Sequence, residues 1–186
     1  MSPVVRLIVV AAATVGFFVP FLLFTSRKGE KAVQIASASR WGIALQAFGF
    51  WALYIHTPAF WKSPIEPWRV AASLLFAIPC WLLAWTAPRH LGKQWRFQAG
   101  LNADHELVQT GPYRIVRHPI YTAMLCLILS VCFSCGEWPM WPIGLLLFLA
   151  GLEVRVHAED KLLSGRFGER FDKWRRHTPA YLPFVR

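Results

Sequence analysis

The sequence has few charged residues. Asp, Glu, Lys and Arg make up 16% of its 186 residues, whereas hydrophobic residues make up 55%. Soluble domains usually carry about a quarter charged residues, so this chain is short of side chains that can face water. The deficit argues against an ordinary soluble domain and indicates a protein that contacts lipid.

The uncharged residues are gathered into long segments. Three segments contain no Asp, Glu, Lys or Arg, namely residues 7–24, 41–60 and 70–87. Each approaches the roughly 20 residues that cross a bilayer as a helix. A fourth segment, 120–152, is interrupted only by Glu137 and is too long for one span. Gly136 and Pro139 supply a natural break, so we predict a hairpin of two helices there.

The resulting expectation is an all-α, polytopic membrane protein with about five transmembrane helices. The sequence shows no internal repeat, low-complexity tract or long linker, so we predict a single integral membrane domain, 1–186. Residues 1–87 would form a three-span scaffold and residues 88–186 a catalytic half. Within that half, a polar loop at 88–119 and the tail after residue 152 would together form a site at the cytosolic face.

The basic residues are distributed unevenly around the predicted spans. Of the 20 Lys and Arg, only Arg6, Lys62 and Arg69 would share a side with the N-terminus. Because cytosolic loops are enriched in Lys and Arg, we predict an external N-terminus and a cytosolic C-terminus. The net charge of +10 is then explained by topology and by anionic membrane lipids, and it requires no nucleic acid.

A cleaved signal peptide is the alternative for the first segment. Its uncharged run is longer than the about 7–15 apolar residues of a signal peptide. Arg27 and Lys28 follow it as a stop signal, which favours a retained span.

The four cysteines, Cys80, Cys126, Cys132 and Cys135, lie in apolar segments. The last two have the spacing of a redox or metal motif, but no second pair or histidine cluster accompanies them. We interpret them as small packing residues, with a disulfide between Cys132 and Cys135 as the alternative, and we predict no metal site. His56, in the second span, is interpreted as a buried, hydrogen-bonded histidine.

Residues 111–121 combine charged, aromatic and proline side chains just before the fourth span. Pro119 suits the first turn of a helix, and it pushes His118 towards extended geometry. We therefore predict that a helix begins here, and that its free backbone N–H groups attract an anionic ligand group such as an amino-acid carboxylate. Arg117 and His118 would donate to that group, with Tyr121 one turn further. A topological anchor at the membrane interface is the alternative.

Two further patterns follow the last span. Arg155 and Glu159 lie four residues apart and share a helix face, with Asp160 beside them. At headgroup depth the carboxylates can accept hydrogen bonds from ribose hydroxyls or an ammonium group, and Arg155 can hold a substrate carboxylate in a bidentate fork. Solvated ion pairs are the alternative. The aromatic residues of 167–174 recur at helical spacing and predict an amphipathic helix.

These segments carry a paired signature. It reads Leu107-Val108-x-x-Gly111-Pro112-Tyr113-x-x-x-Arg117-His118-Pro119-x-Tyr121, then Arg155-x-x-x-Glu159-Asp160-x-x-Leu163-x-x-x-Phe167-Gly168, then an aromatic tail. Over residues 88–186 it resembles the isoprenylcysteine carboxyl methyltransferase family, which is related to the phospholipid N-methyltransferases. Two departures are Asp160, where the family has a second glutamate, and Ala123, where it often has a glycine.

The resemblance implies S-adenosylmethionine as methyl donor and a lipophilic small-molecule or lipid-modified acceptor that enters from the bilayer. The residues expected to bind the donor are His105, Leu107, Val108, Gly111, Tyr113, Arg117, His118, Pro119, Tyr121, Glu159 and Asp160. Arg155 and Glu159 are the expected catalytic residues, with Arg155 acting on an acceptor carboxylate.

Other functions remain open at this point. Phospholipid N-methylation or thiol S-methylation would need a base, for which His157 or Glu159 is the candidate. An NADPH-dependent membrane reductase and a non-enzymatic membrane protein are the alternatives of another class.

Overall fold

The computed structural model describes residues 1–24, 34–55, 58–95, 100–101 and 104–183. Within these residues the chain forms seven α-helices. They are α1 Pro3–Leu23, α2 Ser39–Tyr54, α3 Pro58–Lys62, α4 Pro67–Leu91, α5 Pro119–Cys135, α6 Met140–Phe167 and α7 Glu169–His177. Two short strands, β1 Gln34–Ile35 and β2 Gly100–Leu101, pair antiparallel. Apart from that pair, which the sequence did not indicate, the predicted all-α class is confirmed.

Among the helices of the described residues, three are long and apolar enough to cross a membrane, namely α1, α4 with the 3-10 turn after it, and α6. Helix α5 is also apolar but has 17 residues, and α2 has 16. Large apolar side chains, including Leu22, Trp51, Leu75 and Leu146, are exposed along these helices. Extended apolar surface of this kind is typical of a face that contacts lipid. The chain is therefore an integral membrane protein.

The predicted hairpin after the fourth apolar segment is present. Helix α5 ends at Cys135 and α6 begins at Met140, so the break falls in the four residues between them. Helix α6 then runs without interruption past Arg155 and Glu159 to Phe167. Gly168, at φ 53°, separates it from α7, because this backbone conformation is readily adopted only by glycine.

Helix α4 is longer than the predicted span. The polar loop expected to start at residue 88 starts only after Leu91, because Pro88 lies inside the helix. A proline removes one helical hydrogen bond, but here Ala87 and Pro88 are both buried in the packed bundle. The helix ends at Leu91 and is capped by Gly92, whose φ is 52°.

The helices pack in two groups. Helices α1, α4 and α5 contact one another, whereas α2 packs along α6. The α2–α6 contact is close because glycines face each other. A Cβ atom on Gly42 would lie 2.6 Å from the Gly151 carbonyl oxygen, and one on Gly49 would lie 2.7 Å from that of Gly144. Small residues of this kind allow membrane helices to approach at backbone distance.

Cysteine and histidine predictions have different outcomes. All four cysteines carry free thiols, and Cys132 and Cys135 are buried in α5, as packing residues are. His56 lies outside the described residues. So do five of the basic residues on which the predicted orientation rests, Arg27, Lys28, Lys31, Arg96 and Arg186.

Candidate functional site

A cavity of about 500 Å³ lies among α1, α2, α5, α6 and the segment between α4 and α5. This volume is within the roughly 300–1,000 Å³ typical of small-molecule sites. Apolar side chains of α1 and α2 line part of it, including Phe17, Phe21, Ile43 and Phe50. Polar side chains from the remaining segments line the rest.

Nine of the twelve predicted site residues line this cavity. They are His105, Leu107, Val108, Tyr113, Arg117, His118, Tyr121, Arg155 and Glu159. Gly111, Pro119 and Asp160 do not line it. His157, the alternative base, is exposed and also lies outside the cavity.

The start of α5 is where the sequence predicted it, with His118 as the N-cap and Pro119 as the first helical residue. The extended geometry predicted for His118 is wrong, because its φ of −125° is combined with a ψ of 66°. Two backbone N–H groups just before the helix are occupied, however. Arg117 N donates to Pro179 O at 2.9 Å, and His118 N donates to Ala180 O at 2.8 Å. The C-terminal segment therefore takes up two of the backbone donors near the predicted anion site.

Asp160 explains why Arg117 and His118 point as they do. Arg117 Nη2 donates to Asp160 Oδ2 at 2.9 Å, and His118 Nε2 lies 2.9 Å from Asp160 Oδ1. His118 Nδ1 is 3.5 Å from Glu159 Oε2. Arg117 and His118 are more than nine-tenths buried, so their contacts with the carboxylate stabilise these polar groups away from water. The carboxylate of Asp160 thus orients two cavity residues from behind the cavity wall.

Arg155 is held by neighbouring side chains at the cavity. Its Nη1 donates to Gln46 Oε1 at 2.9 Å and lies 3.7 Å from Met124 Sδ. Its Cζ lies 4.8 Å from the centroid of the Tyr121 ring, a cation–π contact. Arg155 is 7% exposed, so its guanidinium is fixed in a largely dehydrated position.

Several buried polar atoms of the cavity have no hydrogen-bond partner among the described residues. These are Gln46 Nε2, Gln94 Oε1, Trp95 Nε1 and the Tyr113 hydroxyl. Burial, followed by the nearby Glu159 carboxylate, raises the pKa of the Tyr113 hydroxyl well above its ordinary value, so it stays a neutral donor. Buried polar groups are normally hydrogen-bonded, so these atoms are groups that a ligand or water in the cavity can complete.

Two features shape the cavity from outside. Gly111 has φ 58°, and a Cβ atom there would lie 2.2 Å from His90 Nε2, so only glycine fits. Thr122 Oγ1 donates to Tyr181 O at 2.7 Å, and the Tyr181 hydroxyl donates to the Glu153 carboxylate. Burial and the Glu153 contact raise the pKa of Tyr181 to about 12. The C-terminal segment is thereby fixed against α5 and α6.

The predicted amphipathic helix is α7. Phe171 is fully buried, and Trp174 lines the cavity, so its aromatic face contacts the site and the protein interior. Within the described residues, no three His, Cys, Asp or Glu side chains come together as a possible metal site.

Part of the cavity wall was not among the predicted site residues, namely Gln46, Gln94, Trp95 and the aromatic residues of α1. Gln94 and Trp95 do lie in the 88–119 loop that was predicted to form the site. Gln46 is a polar residue inside an otherwise apolar span, and that is a signal that was present in the sequence. The α1 aromatics gave no such signal because membrane helices carry aromatic residues for many reasons.

Comparison with known proteins identifies relatives over this region. The chain is 29% identical over 140 residues to the cobalt-zinc-cadmium resistance protein CzcN of Cupriavidus metallidurans, a match that covers 66% of this chain and 64% of the relative. It is 37% identical over 78 residues to the nickel-cobalt-cadmium resistance protein NccN of Alcaligenes xylosoxydans, covering 42% and 36% of the two chains.

A third relative bears an enzyme name. The chain is 27% identical over 84 residues to protein-S-isoprenylcysteine O-methyltransferase of Schizosaccharomyces pombe, covering 45% of this chain and 36% of the relative. The chain thus matches less than two thirds of the length of each of these three proteins.

The family model of isoprenylcysteine carboxyl methyltransferase matches residues 71–165. That segment includes the residues that surround the start of α5 and the Arg155–Glu159 pair on α6. It excludes α1 and α2, and therefore the apolar wall and Gln46. Since the match covers about half of the chain, this protein belongs to the isoprenylcysteine carboxyl methyltransferase (ICMT) family.

Proposed function

We propose that this protein is an S-adenosylmethionine-dependent methyltransferase that acts in the membrane on a lipophilic acceptor, in first place a carboxylate. The observation that carries the proposal is that one cavity combines buried polar groups with apolar walls from α1 and α2. A polar methyl donor and a lipid-soluble acceptor need both kinds of lining. Family membership supports the same reaction class.

The polar lining fits the donor. S-adenosylmethionine has an adenine, ribose hydroxyls and an amino-acid group, each of which needs hydrogen bonds. Gln94 Oε1 is an available acceptor, and Trp95 Nε1 and the Tyr113 hydroxyl are available donors. The Glu159 carboxylate can accept from a hydroxyl or an ammonium group. These four residues would satisfy a bound donor and be satisfied by it.

The remaining predicted residues would contribute in two ways. His105, Leu107, Val108 and His118 line the cavity and would contact the donor directly. Gly111 and Pro119 would set the backbone path, and Asp160 would act through His118 and the neighbouring Arg117. We therefore assign Asp160 a positioning role rather than the direct donor contact that the sequence led us to expect.

The proposed methyl transfer to a carboxylate requires little acid–base catalysis from the protein. When bound, the donor supplies a methyl group already activated by a positively charged sulfur. The acceptor oxygen forms the new C–O bond as the C–S bond breaks, and the electron pair stays on sulfur. A carboxylate needs no general base, so the side chains mainly align the reactants and exclude water.

Arg155 would supply the counter-charge that a carboxylate acceptor needs in a dehydrated site. An amine or thiol acceptor would have to lose a proton instead. Of the two candidate bases, only Glu159 lines the cavity, whereas His157 is exposed. The buried position of Arg155 favours the carboxylate acceptor.

We further propose five membrane spans, with α2 and α5 as the shorter ones and the cavity at the cytosolic side. A lipophilic acceptor would then enter from the bilayer between elements of the scaffold, residues 1–87. A reporter fused after Arg186 should be cytosolic, and one placed before Met1 should be external. An external C-terminus would contradict both the orientation and the side of the site.

Donor binding is the direct test of the proposed activity. Protein purified in detergent is titrated by calorimetry with S-adenosylmethionine, with its demethylated product and with NADPH. We expect binding of the first two and none of NADPH. Binding of NADPH alone would indicate the reductase alternative, and binding of neither cofactor would support a non-enzymatic membrane protein.

A further inference from the structure

Helices α2 and α6 approach each other closely, and this approach brings Gln46 of α2 against Arg155 of α6. The facing glycines Gly42 and Gly151 lie one turn before Gln46 and one turn before Arg155, respectively. A Cβ atom on Gly151 would lie 2.9 Å from both Gln46 N and Gln46 Cγ. The two helices therefore meet at backbone distance, and an amide side chain of α2 can reach a guanidinium of α6.

The orientation of the Gln46 amide follows from its partner. Arginine has only donors, so the atom that faces Arg155 Nη1 at 2.9 Å is the amide oxygen. The Nε2 group then points away from Arg155, and it has no hydrogen-bond partner among the described residues. Gln46 is 3% exposed, and an unpaired buried donor costs about 1–3 kcal/mol.

Both members of this pair line the cavity, beside Tyr121. The contact with a neutral amide fixes the Arg155 guanidinium without cancelling its charge. Arg155 itself lines the cavity, so its positive charge can act on a ligand there.

We propose that Gln46 is a positioning and specificity-determining residue for the methyl acceptor: its Oε1 holds the Arg155 guanidinium, and its Nε2 is a second donor to an acceptor carboxylate. A carboxylate has lone pairs for both groups. A neutral amine has a single lone pair, and a carboxamide is uncharged and has an NH2 group in place of one carboxylate oxygen, so each accepts less well from the two buried donors. This inference rests on the proposed methyl transfer to a carboxylate.

The test uses one pair of ligands and three variants. The ligands are N-acetyl-S-farnesylcysteine and the same molecule with a carboxamide in place of the carboxylate. Gln46→Glu keeps an acceptor for Arg155 but removes the donor and adds a negative charge, whereas Gln46→Leu removes both polar atoms. The matched control is Ser73→Ala, which deletes a buried interhelical hydrogen bond to Ser130 O, 3.0 Å, between α4 and α5 and away from the cavity.

Binding of the two ligands is measured without methyl donor, and donor affinity and turnover are measured separately. We expect the wild type to prefer the carboxylate at least tenfold. Gln46→Glu should abolish that preference and raise the acceptor KM at least tenfold, with donor Kd changed less than twofold. Gln46→Leu should raise KM and also lower kcat, since Arg155 loses its support. Ser73→Ala should retain wild-type preference, KM and kcat.

Two results would overturn the inference. One is a wild type without preference for the carboxylate, and the other is a Gln46→Glu variant that keeps it. A wild type that binds no S-adenosylmethionine would instead contradict the proposed function, and the ligand-preference measurement would still decide the role of Gln46.

Discussion

The arginines at the two ends of the helix bundle have different partners. At the end where α1 and α4 begin, Arg69 donates to the carbonyl oxygens of Phe133 at 2.8 Å and Gly136 at 2.6 Å, which close the C-terminus of α5. Arg6 donates to the carbonyl oxygens of Phe60 and Pro64. At the cavity end, Arg155 contacts the side chains of Gln46, Met124 and Tyr121 instead.

The difference separates structural from functional arginines. The carbonyl groups at a helix C-terminus need donors wherever water is excluded, so Arg69 completes the fold itself. Side-chain contacts fix the Arg155 guanidinium but leave it at the edge of an open cavity. Substitutions at the first end should therefore change stability, and substitutions at the second should change activity.

The largest effect is expected for Arg155→Leu. Loss of the counter-charge should lower turnover of a carboxylate acceptor by about a hundredfold, or about 3 kcal/mol, with little change in donor affinity. Arg155→Lys keeps the charge but loses the planar fork, so turnover should fall less but measurably. Steady-state kinetics with saturating donor measures both. Arg170→Leu, at an exposed position of α7, is the control.

Near-normal turnover in both Arg155 variants would contradict the functional assignment of this arginine. The carboxylate acceptor would then be wrong, and an amine or thiol acceptor, with Glu159 as base, would replace it.

Arg69→Gln should show the opposite pattern. One amide cannot replace the hydrogen bonds to Cys132 O, Phe133 O and Gly136 O, so the free energy of unfolding should fall by about 2 kcal/mol. Donor affinity at the far end should be unchanged. Thermal unfolding in detergent measures the loss of stability, and Arg170→Gln, at an exposed position, is the control. A fall in donor affinity without a fall in stability would break the distinction between the two ends.

His118→Ala should weaken donor binding at least tenfold, or about 1.4 kcal/mol. The imidazole lines the cavity, contacts Asp160 and lies beside Tyr121, so its loss removes a ligand contact and leaves a buried carboxylate with one partner fewer. Calorimetry measures the affinity, and His177→Ala, an exposed histidine of α7, is the control. An unchanged affinity would remove His118 from the donor pocket.

Several features of both ends of the bundle could be predicted from the sequence. Apolar runs and the break at 136–139 predicted α1, α4, α5 and α6, since segments that cross lipid must form helices and must be long enough. The single span predicted over 41–60 is wrong, because α2 ends at Tyr54 and a separate helix, α3, covers Pro58–Lys62. The start of α5 followed from Pro119 alone. The motif residues on either side of the hairpin were predicted to meet, and Arg117, His118 and Asp160 do meet.

Other features depend on packing between distant segments. Nothing local indicates that Pro179 O and Ala180 O cover the donors before α5, because that contact joins residues about sixty positions apart. The length of α4 depends on burial of Pro88 among neighbouring helices. The hydrogen bond between Gln46 and Arg155 depends on which face of α2 packs against α6. That face is set by glycines of α2 that pack against glycines of α6, and the sequence alone does not show which glycines face each other.

The smallest expected effect concerns Tyr113, whose substitution should lower donor affinity but not the stability of the ligand-free protein. Its buried hydroxyl has no partner among the described residues, and its raised pKa keeps it protonated through neutral and mildly alkaline pH. Tyr113→Phe should lower donor affinity by about 1 kcal/mol, roughly fivefold, because one hydrogen bond to the ligand is lost. The ligand-free protein should keep or gain stability, since an unpaired buried hydroxyl is removed.

Both effects of Tyr113→Phe should be independent of pH between about 6 and 9, well below the raised pKa of the hydroxyl. Calorimetry and thermal unfolding of the same preparations measure the two effects. A fall in stability with unchanged donor affinity would mean that Tyr113 is a structural residue, as Arg69 is. The cavity end of the bundle would then also contain a structural polar residue, contrary to the distinction between the two ends.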